Sequence, residues 1–449
     1  MFIIFYRFVF LPALLLSVPA LIKTLVQHLR IKNGFFNRLG LYSLPFSSSA
    51  PRVWIHAASV GESQSISKLV QLLRGGKINV IITVQNTHAF SMLQKKYEYC
   101  DDVFLGFFPL DFWPCSYLAW QSLQPQIALA VDSELWPEHL YQAKRHDVPF
   151  WLINQRHSEK TYRRFLMFPH VFNFFYSHID LIWSSSKRDY QHMQKLGVSA
   201  AKCRYRGNLK CDSYLQDQLS PQQQVDLKQS IGFHTGEPAV VLLAASSWPG
   251  EEKLLIDVLL RCLELCMPVK LILAPRHPAR LKEFLNDVQK TKLNYQIRSK
   301  REQKELPENT IYIADTIGEL RKFYQISDVA FIGKSSDKNM GGQNPIEAAA
   351  FGCAMVFGPN MENFSDISED LVNNNAAVQG QSDDDIREQL IYLVTHADSR
   401  RQQTLAAKLW LDENKDCAHH IYQAIESALF DEEKNLDQDL PSLDIFSGL

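Results

Sequence analysis

The sequence predicts an α/β protein built from two parallel-sheet domains. Three observations lead there: short apolar runs alternate with amphipathic stretches, the alternation occurs in two series, and a polar segment separates the series. The chain has 449 residues, 46% of them hydrophobic, more than a single core usually accommodates. Runs at 53–56, 80–84, 104–108, 127–131, 150–153 and 181–183 form the first series; runs at 240–243, 271–274, 311–313, 328–332 and 354–357 form the second. Continuous apolar runs of this length, with helical patterns between them, are the mark of strands buried on both faces and joined by crossover helices. The polar segment SPQQQ at 220–224 marks the boundary.

Taken in order, the chain opens on a strongly apolar stretch, MFIIFYRFVFLPALLLSVPALIKTLV, and has no acidic residue before Glu62. The uninterrupted part, residues 8–22, is short for a membrane span, and Arg30, Lys32 and Arg38 follow it. A basic, apolar start fits attachment to an anionic membrane surface, as one tilted span or as a helix lying in the interface. No small-residue cleavage site follows, as it would after a signal peptide. Residues 1–50 are therefore read as a membrane anchor or interfacial segment with a serine-rich linker. Residues 51–218 are the first α/β domain, 219–430 the second with its closing helices, and 431–449 an acidic tail. A helix with Ile66, Leu69, Val70 and Leu73 on its inner face is expected over 63–73, and another near 88–96.

Parallel sheets collect ligands beyond the carboxyl ends of their strands, so the segments that follow the runs are the candidate sites. In the first series they carry His56 to Glu62, Asp111, Asp132 and Glu134. In the second they carry Ser246, Ser247, Arg276, His277, Gly318, Glu319 and Leu320. The stretch GKSSDKNMGGQNPIEAAAFGCAMVFGPNMENF at 333–364 is the richest. Gly341 and Gly342 let the backbone approach a ligand closely. Asn344 can cap a helix that Pro345 begins, and Glu347 lies in its first turn. Strand, glycine loop and helix start together make a place for a phosphate.

The net charge of −2 supplies no basic field for nucleic acid. No dinucleotide, P-loop or serine-hydrolase fingerprint occurs. The eight cysteines form no CxxC pair or zinc pattern and are expected to be reduced, which fits a cytoplasmic body. Two α/β domains facing across a cleft suggest transfer between two bound substrates.

The segments WIHAASVGES (54–63), FFPLDFW (107–113), DSELWPEHL (132–140), RGNLKCD (206–212), SSWPGEE (246–252), APRHPAR (274–280), IGELRKFY (317–324), GGQNPIEAAAFG (341–352) and GPNMENF (358–364) occur in that order. With them the chain resembles the Kdo (3-deoxy-D-manno-octulosonic acid) transferases of lipopolysaccharide synthesis, over nearly its whole length. The resemblance implies a GT-B type glycosyltransferase with two Rossmann-like domains. The first would receive a lipid A precursor and the second would bind CMP-Kdo. Kdo would pass, with inversion, to the 6′-hydroxyl of the acyl disaccharide (lipid IVA), releasing CMP. The resemblance also implies the cytoplasmic face of the inner membrane and contact with its phospholipids, without a metal, a cofactor, a nucleic acid or an obligatory protein partner. Two alternatives stand beside it: another nucleotide-sugar-dependent enzyme of this fold, and an inactive membrane-associated scaffold.

On the matching positions, Glu62 is implied to be the base that takes the acceptor proton, its ionised form favoured by a helix start. His56, Ser59, Gly61, Asp132, Glu134 and Arg156 are implied to bind acceptor or sugar. A structural role for His56, and capping or ion pairing for Asp132 and Glu134, remain open. Ser246, Ser247, Arg276, His277, Gly318, Glu319, Leu320, Gly341, Gly342, Gln343, Asn344 and Glu347 are implied to bind the donor. Among them Arg276 is the first candidate for its anionic groups. Arg30, Lys32 and Arg38 are expected to meet lipid phosphates. The chain departs from the family pattern in four places. Asp132 stands where glutamate is more usual, Lys334 where a second glycine is usual, and Gln343 where histidine is common. NQRHS at 154–158 replaces an ARLS-type segment, although Arg156 and Ser158 still match.

Overall fold

The computed structural model describes residues 3–4, 6–8, 31, 33–46, 49–213, 218–233, 239–300 and 310–430. They fall into two compact units: one takes the described residues up to 213 together with 415–430, the other those from 218 to 414.

The first unit holds β1 (Arg52–His56), β2 (Asn79–Val84), β3 (Val103–Phe107), β4 (Ile127–Val131), β5 (Phe150–Gln155), β6 (Leu181–Ser184) and β7 (Cys203–Tyr205). All pair in parallel, in the order β3-β2-β1-β4-β5-β6-β7. β2, β4 and β5 are buried along their whole length. Alternate side chains serve two cores, as the strand period requires. Ile55, Ile82 and Leu129 pack on one face with Leu69 and Leu73, and Trp54, Ile81 and Ala128 on the other with Trp120 and Leu140. The strand order reverses between β1 and β4, so the loops leaving these two strands part and open a crevice.

The second unit repeats the plan with β8 (Val240–Ser247), β9 (Val269–Pro275), β10 (Asn294–Ile297), β11 (Thr310–Ile313), β12 (Val329–Ile332), β13 (Ala354–Phe357) and β14 (Val378–Gln379). Their order is β10-β11-β9-β8-β12-β13-β14, again all parallel, with the reversal between β8 and β12. β7, β10 and β14 have no counterpart in the apolar runs. Each lies at a sheet edge, where one side needs no apolar cover, and each carries polar residues such as Arg204, Asn294 and Gln379.

Two expectations change. The helix expected over 63–73 is two helices, Val60–Ser65 and Ser67–Gly75, separated at the buried Ile66. The helix Cys417–Phe430, expected among the closing helices of the second domain, belongs to the first unit. It packs on Ser67–Gly75 and places Ala418, Ile421 and Ile425 in the first core. Asp212 holds its start, accepting hydrogen bonds from the Asp416 and Ala418 backbone N–H groups at 2.6 Å each. An amphipathic stripe shows that a helix covers a core but not which one.

The apolar run 8–22 lies, except for Phe8, outside the described residues, as does the tail 431–449. Among the described residues no helix is long and apolar enough to cross a membrane. Arg30 and Lys32 are also outside them. Arg38, expected at lipid phosphates, is instead buried and donates to the carbonyl oxygens of Phe108 and Gln85. Those carbonyls follow β3 and β2, and a guanidinium is long enough to reach both.

Truncation after Asn414 tests the returning helix. Hydrogen exchange followed by mass spectrometry should show lost protection over Ser67–Gly75 and β1, with β8 and β12 unchanged.

Candidate active site

β1 ends at His56, and Ser59 caps the next helix, its Oγ accepting from Glu62 N at 3.3 Å. The Glu62 carboxylate reaches back. Ala58 N–H donates to its Oε2 and Ser59 Oγ to its Oε1, each at 2.7 Å. This variant of a capping box fixes the carboxylate on a rigid helix start. Gly61 is exposed, with only Ser59 Oγ, at 3.9 Å, near where a β-carbon would stand, so the surface beside Glu62 stays clear. Burial, with the nearby charge of Asp132, raises the Glu62 carboxyl above its ordinary value against the two hydrogen bonds. The sequence suggests only that the helix start keeps Glu62 ionised; the fold also makes it more basic.

Asp132 leaves β4 in the left-handed region at φ 58° and is buried. Asn154 Nδ2 donates to its Oδ1 at 2.7 Å and Arg156 Nε to its Oδ2 at 2.9 Å. Asn154 is itself left-handed, at φ 55°, inside the irregularity between β5 and β6. Its Oδ1 accepts from Leu209 N at 3.1 Å, which brings the segment 206–212 to the same rim. Lys210 then lies within electrostatic reach of Asp132, Arg156 and Glu62, and burial lowers its ammonium below the ordinary value. Asp132 thus makes the ion pair that was left open for it, and it also orients Arg156.

His56 turns only its Nε2 toward the rim, 3.8 Å from Glu134 Oε2. It is buried and stacked on Phe108 at 3.7 Å, with Nδ1 2.9 Å from the Thr83 carbonyl oxygen. Burial holds it below its ordinary value, so the neutral ring carries its proton on Nδ1. β1 carries the side chain inward between Thr83 and Phe108. Glu134 is half-buried; its Oε2 accepts from Trp136 Nε1 at 3.0 Å and lies 3.8 Å from His56 Nε2. Asp111 is buried away from the carboxylate pair, binding Tyr6 Oη at 2.6 Å and Glu138 N at 3.1 Å.

In the second unit, backbone donors of the glycine-rich stretch already have partners. The buried Glu251 carboxylate accepts from the N–H groups of Trp248, Lys334, Ser335 and Ser336 at 2.8–3.2 Å. Gly341 N donates to Glu362 Oε2, Gly342 N to the Lys334 carbonyl and Gln343 N to the Gly333 carbonyl. Asn344 Oδ1 accepts from Ile346 N at 3.0 Å, but the N-cap of the helix Ile346–Phe351 is Pro345 and not Asn344, which turns the chain one residue earlier. The backbone donors of residues 334–336 and 341–343 are therefore taken by the protein's own carboxylates and carbonyls. Ser247 is also turned inward, its hydroxyl donating to Glu252 Oε1, which Arg280 pairs at 3.1 Å. The buried Ser246 is left-handed at φ 54° in the β8 irregularity.

Glu319 is locked by Arg298 at 2.5 and 2.6 Å and by Thr316 Oγ1. Of Gly318, Glu319 and Leu320, only backbone is left to offer a ligand at the glutamate. Glu347 pairs with Arg321 Nε at 3.2 Å. Arg276 and His277 are exposed just past β9, and Arg276 has no ion pair among the described residues. Between the two arginines of APRHPAR, the fold frees Arg276 and engages Arg280.

A family model described as 3-deoxy-D-manno-octulosonic-acid transferase (kdotransferase) matches residues 33–213. A Rickettsia felis protein called 3-deoxy-D-manno-octulosonic acid transferase is 30% identical over 358 residues, 78% of this chain and 74% of that protein. The chain belongs to this family. A Haemophilus influenzae protein of the same name is 27% identical across 94% of this chain and 99% of its own. In fold alone, the chain is similar to a UDP-GlcNAc 2-epimerase from Neisseria meningitidis (TM-score 0.57, 12% identity, 84% of this chain and 100% of that one). It is likewise similar to a glycosyltransferase from Rickettsia africae (TM-score 0.54, 12% identity, 86% and 100%). The two parallel-sheet units thus have a fold like that of GT-B glycosyltransferases, and membership of the family makes the chain a sugar-transferring enzyme.

Within this Kdo transferase family member, Lys210, Asn154 and Glu251 join the candidate site through the fold. Lys210 and Glu251 lie inside the RGNLKCD and SSWPGEE motifs, and position in a motif is their only signal in the sequence. For Asn154 the signal was a residue tolerant of positive φ at a strand end.

Asp132→Asn removes a like charge beside Glu62. The carboxyl should then fall toward its ordinary value, and the acid limb of the pH profile of kcat/KM, above which Glu62 is ionised, should move to lower pH. An unmoved limb would show that the two carboxylates are not coupled.

Proposed function

We propose that the chain transfers Kdo from CMP-Kdo to a lipid A precursor, at the 6′-hydroxyl of lipid IVA, with inversion and release of CMP. The observation that carries this is Glu62, a partly exposed, oriented carboxylate of raised basicity at the β1–β4 switch point. The acceptor oxygen attacks the anomeric carbon while its proton passes to Glu62, and the bond to the CMP phosphate breaks with its electron pair leaving on CMP. Ser59 and Ala58 hold the carboxylate still during transfer. Protonation removes its charge next to Asp132, which favours taking the proton.

Arg156, oriented by Asp132, and Lys210 supply positive charge for acceptor phosphates. In the second unit Arg276 supplies it for the donor. The reaction in this form needs no cofactor, metal, nucleic acid or protein partner. Ile4, Phe8, Phe36, Leu41 and Trp113 are exposed apolar side chains of the first unit. With the apolar sequence at 8–22 they support attachment at the cytoplasmic face of the inner membrane, against phospholipid, where an acylated acceptor resides.

The test supplies purified protein with CMP-Kdo and tetra-acylated lipid A precursor, then measures CMP release and the mass of the lipid product. Glu62→Gln should lower kcat by roughly 10²–10⁴-fold, the range of general base catalysis, with donor affinity kept. Wild-type turnover in Glu62→Gln would remove Glu62 as the base. Donor consumed without a heavier lipid would point to another acceptor.

A further inference from the structure

We propose that Lys334 is a specificity-determining residue for the donor, its ammonium group taking an anionic oxygen at the reacting end of a CMP-linked sugar acid. This rests on the donor reading above and adds to it a residue where the family pattern has glycine.

Four observations place a free cation at this point. First, Lys334 follows β12 at the strand-order reversal, where a ligand crevice forms in a parallel sheet. Second, its backbone is clamped on both sides. Its N–H donates to Glu251 Oε2 at 2.9 Å and its carbonyl accepts from Gly342 N at 2.8 Å. The residue is held at φ 60°, a conformation that costs a residue with a β-carbon relative to glycine and that tends to persist at functional positions.

Third, the ammonium rests over an aromatic ring and has no anionic partner among the described residues. Nζ sits 4.8 Å from the centroid of the Trp248 ring and 3.2 Å from where a β-carbon on Gly341 would stand. Among the described residues it has no hydrogen-bond acceptor and no carboxylate partner. The neighbouring carboxylates are engaged: Glu251 and Glu362 by backbone N–H groups, Glu252 by Ser247 and Arg280. Fourth, the indole Nε1 of Trp248 is enclosed without a partner, and the ring meets His277 edge-on at 5.4 Å.

Because the backbone donors of residues 334–336 and 341–343 are already taken, an anion that reaches these residues is met there by side chains. Lys334 is a side-chain cation at the reversal with nothing to neutralise it. On a CMP-linked 2-keto sugar acid, the phosphate ester oxygen and the carboxylate sit on the same carbon, so one ammonium can serve either.

Equilibrium dissociation constants for CMP and for CMP-Kdo, measured by calorimetry on the full chain at two salt concentrations, separate the cases. Wild type is compared with Lys334→Gly, which suits the left-handed backbone, and with Lys334→Arg. Lys334→Gly is expected to weaken CMP-Kdo binding by roughly ten- to a hundredfold, the worth of a hydrogen bond to a charged group. Its salt dependence should flatten, and Lys334→Arg should restore most of the affinity. If CMP weakens by the same factor, the phosphate is the contact; if CMP is unaffected, it is the sugar carboxylate. Wild-type affinity for both ligands in Lys334→Gly would overturn the role of Lys334 and leave the donor reading intact. A wild-type protein that binds neither ligand would overturn the donor reading and this inference with it.

Discussion

Much of the first unit's chemistry depends on one constraint: the Glu62 carboxylate must stay ionisable and partly exposed while its surroundings disfavour its charge. Burial and Asp132 push its pKa up, while Ser59 and Ala58 hold it down and in place. The opposed effects leave a group that is basic enough to accept a proton yet fixed in direction. The features around it serve that balance. Asn154 and Arg156 hold the second carboxylate, Asp132, in place, and the Leu209 contact brings Lys210 into the same field.

The two units solve the same geometric problem in the same way. A parallel sheet must turn its chain sharply at the carboxyl ends of the strands beside the reversal. Each unit does so with residues of positive φ, Asp132 after β4 in one and Ser246 and Lys334 in the other; strand irregularities accompany them, at Asn154 in the neighbouring β5 and at Ser246 in β8. Bulges of this kind re-aim side chains where a site is built. The consequences differ. In the first unit the turns gather carboxylates and cations around an open glutamate. In the second, Glu251 satisfies the backbone of the turn, so charge for a ligand has to come from side chains such as Arg276.

The central strands were legible in the sequence because burial on both faces demands unbroken apolar runs. The edge strands β7, β10 and β14 were not, since edges relax that demand. The return of Cys417–Phe430 to the first unit was hidden for a related reason: Ala418, Ile421 and Ile425 mark an inner face without naming its partner. Glu62 and Arg276 could be singled out from the ordered motifs, and the fold leaves both available. His56 and Ser247 stand in the same motifs yet point inward, to Thr83 and to Glu252. Side-chain direction at a strand end depends on pleat and bulge, which a motif does not record. The engagement of the backbone donors of residues 334–336 by Glu251 was equally unreadable, because the two segments lie more than eighty residues apart.

The most direct test of the central claim is the titration of Glu62 itself, followed by carbon NMR on protein labelled at glutamate side-chain carboxyls, with Glu62→Gln to assign the signal. A midpoint above the ordinary glutamate value is the result expected of a base tuned by burial and by Asp132. A midpoint at or below the ordinary value would contradict it, leaving Glu62 as a helix cap and sending the search for the base to another residue of the rim.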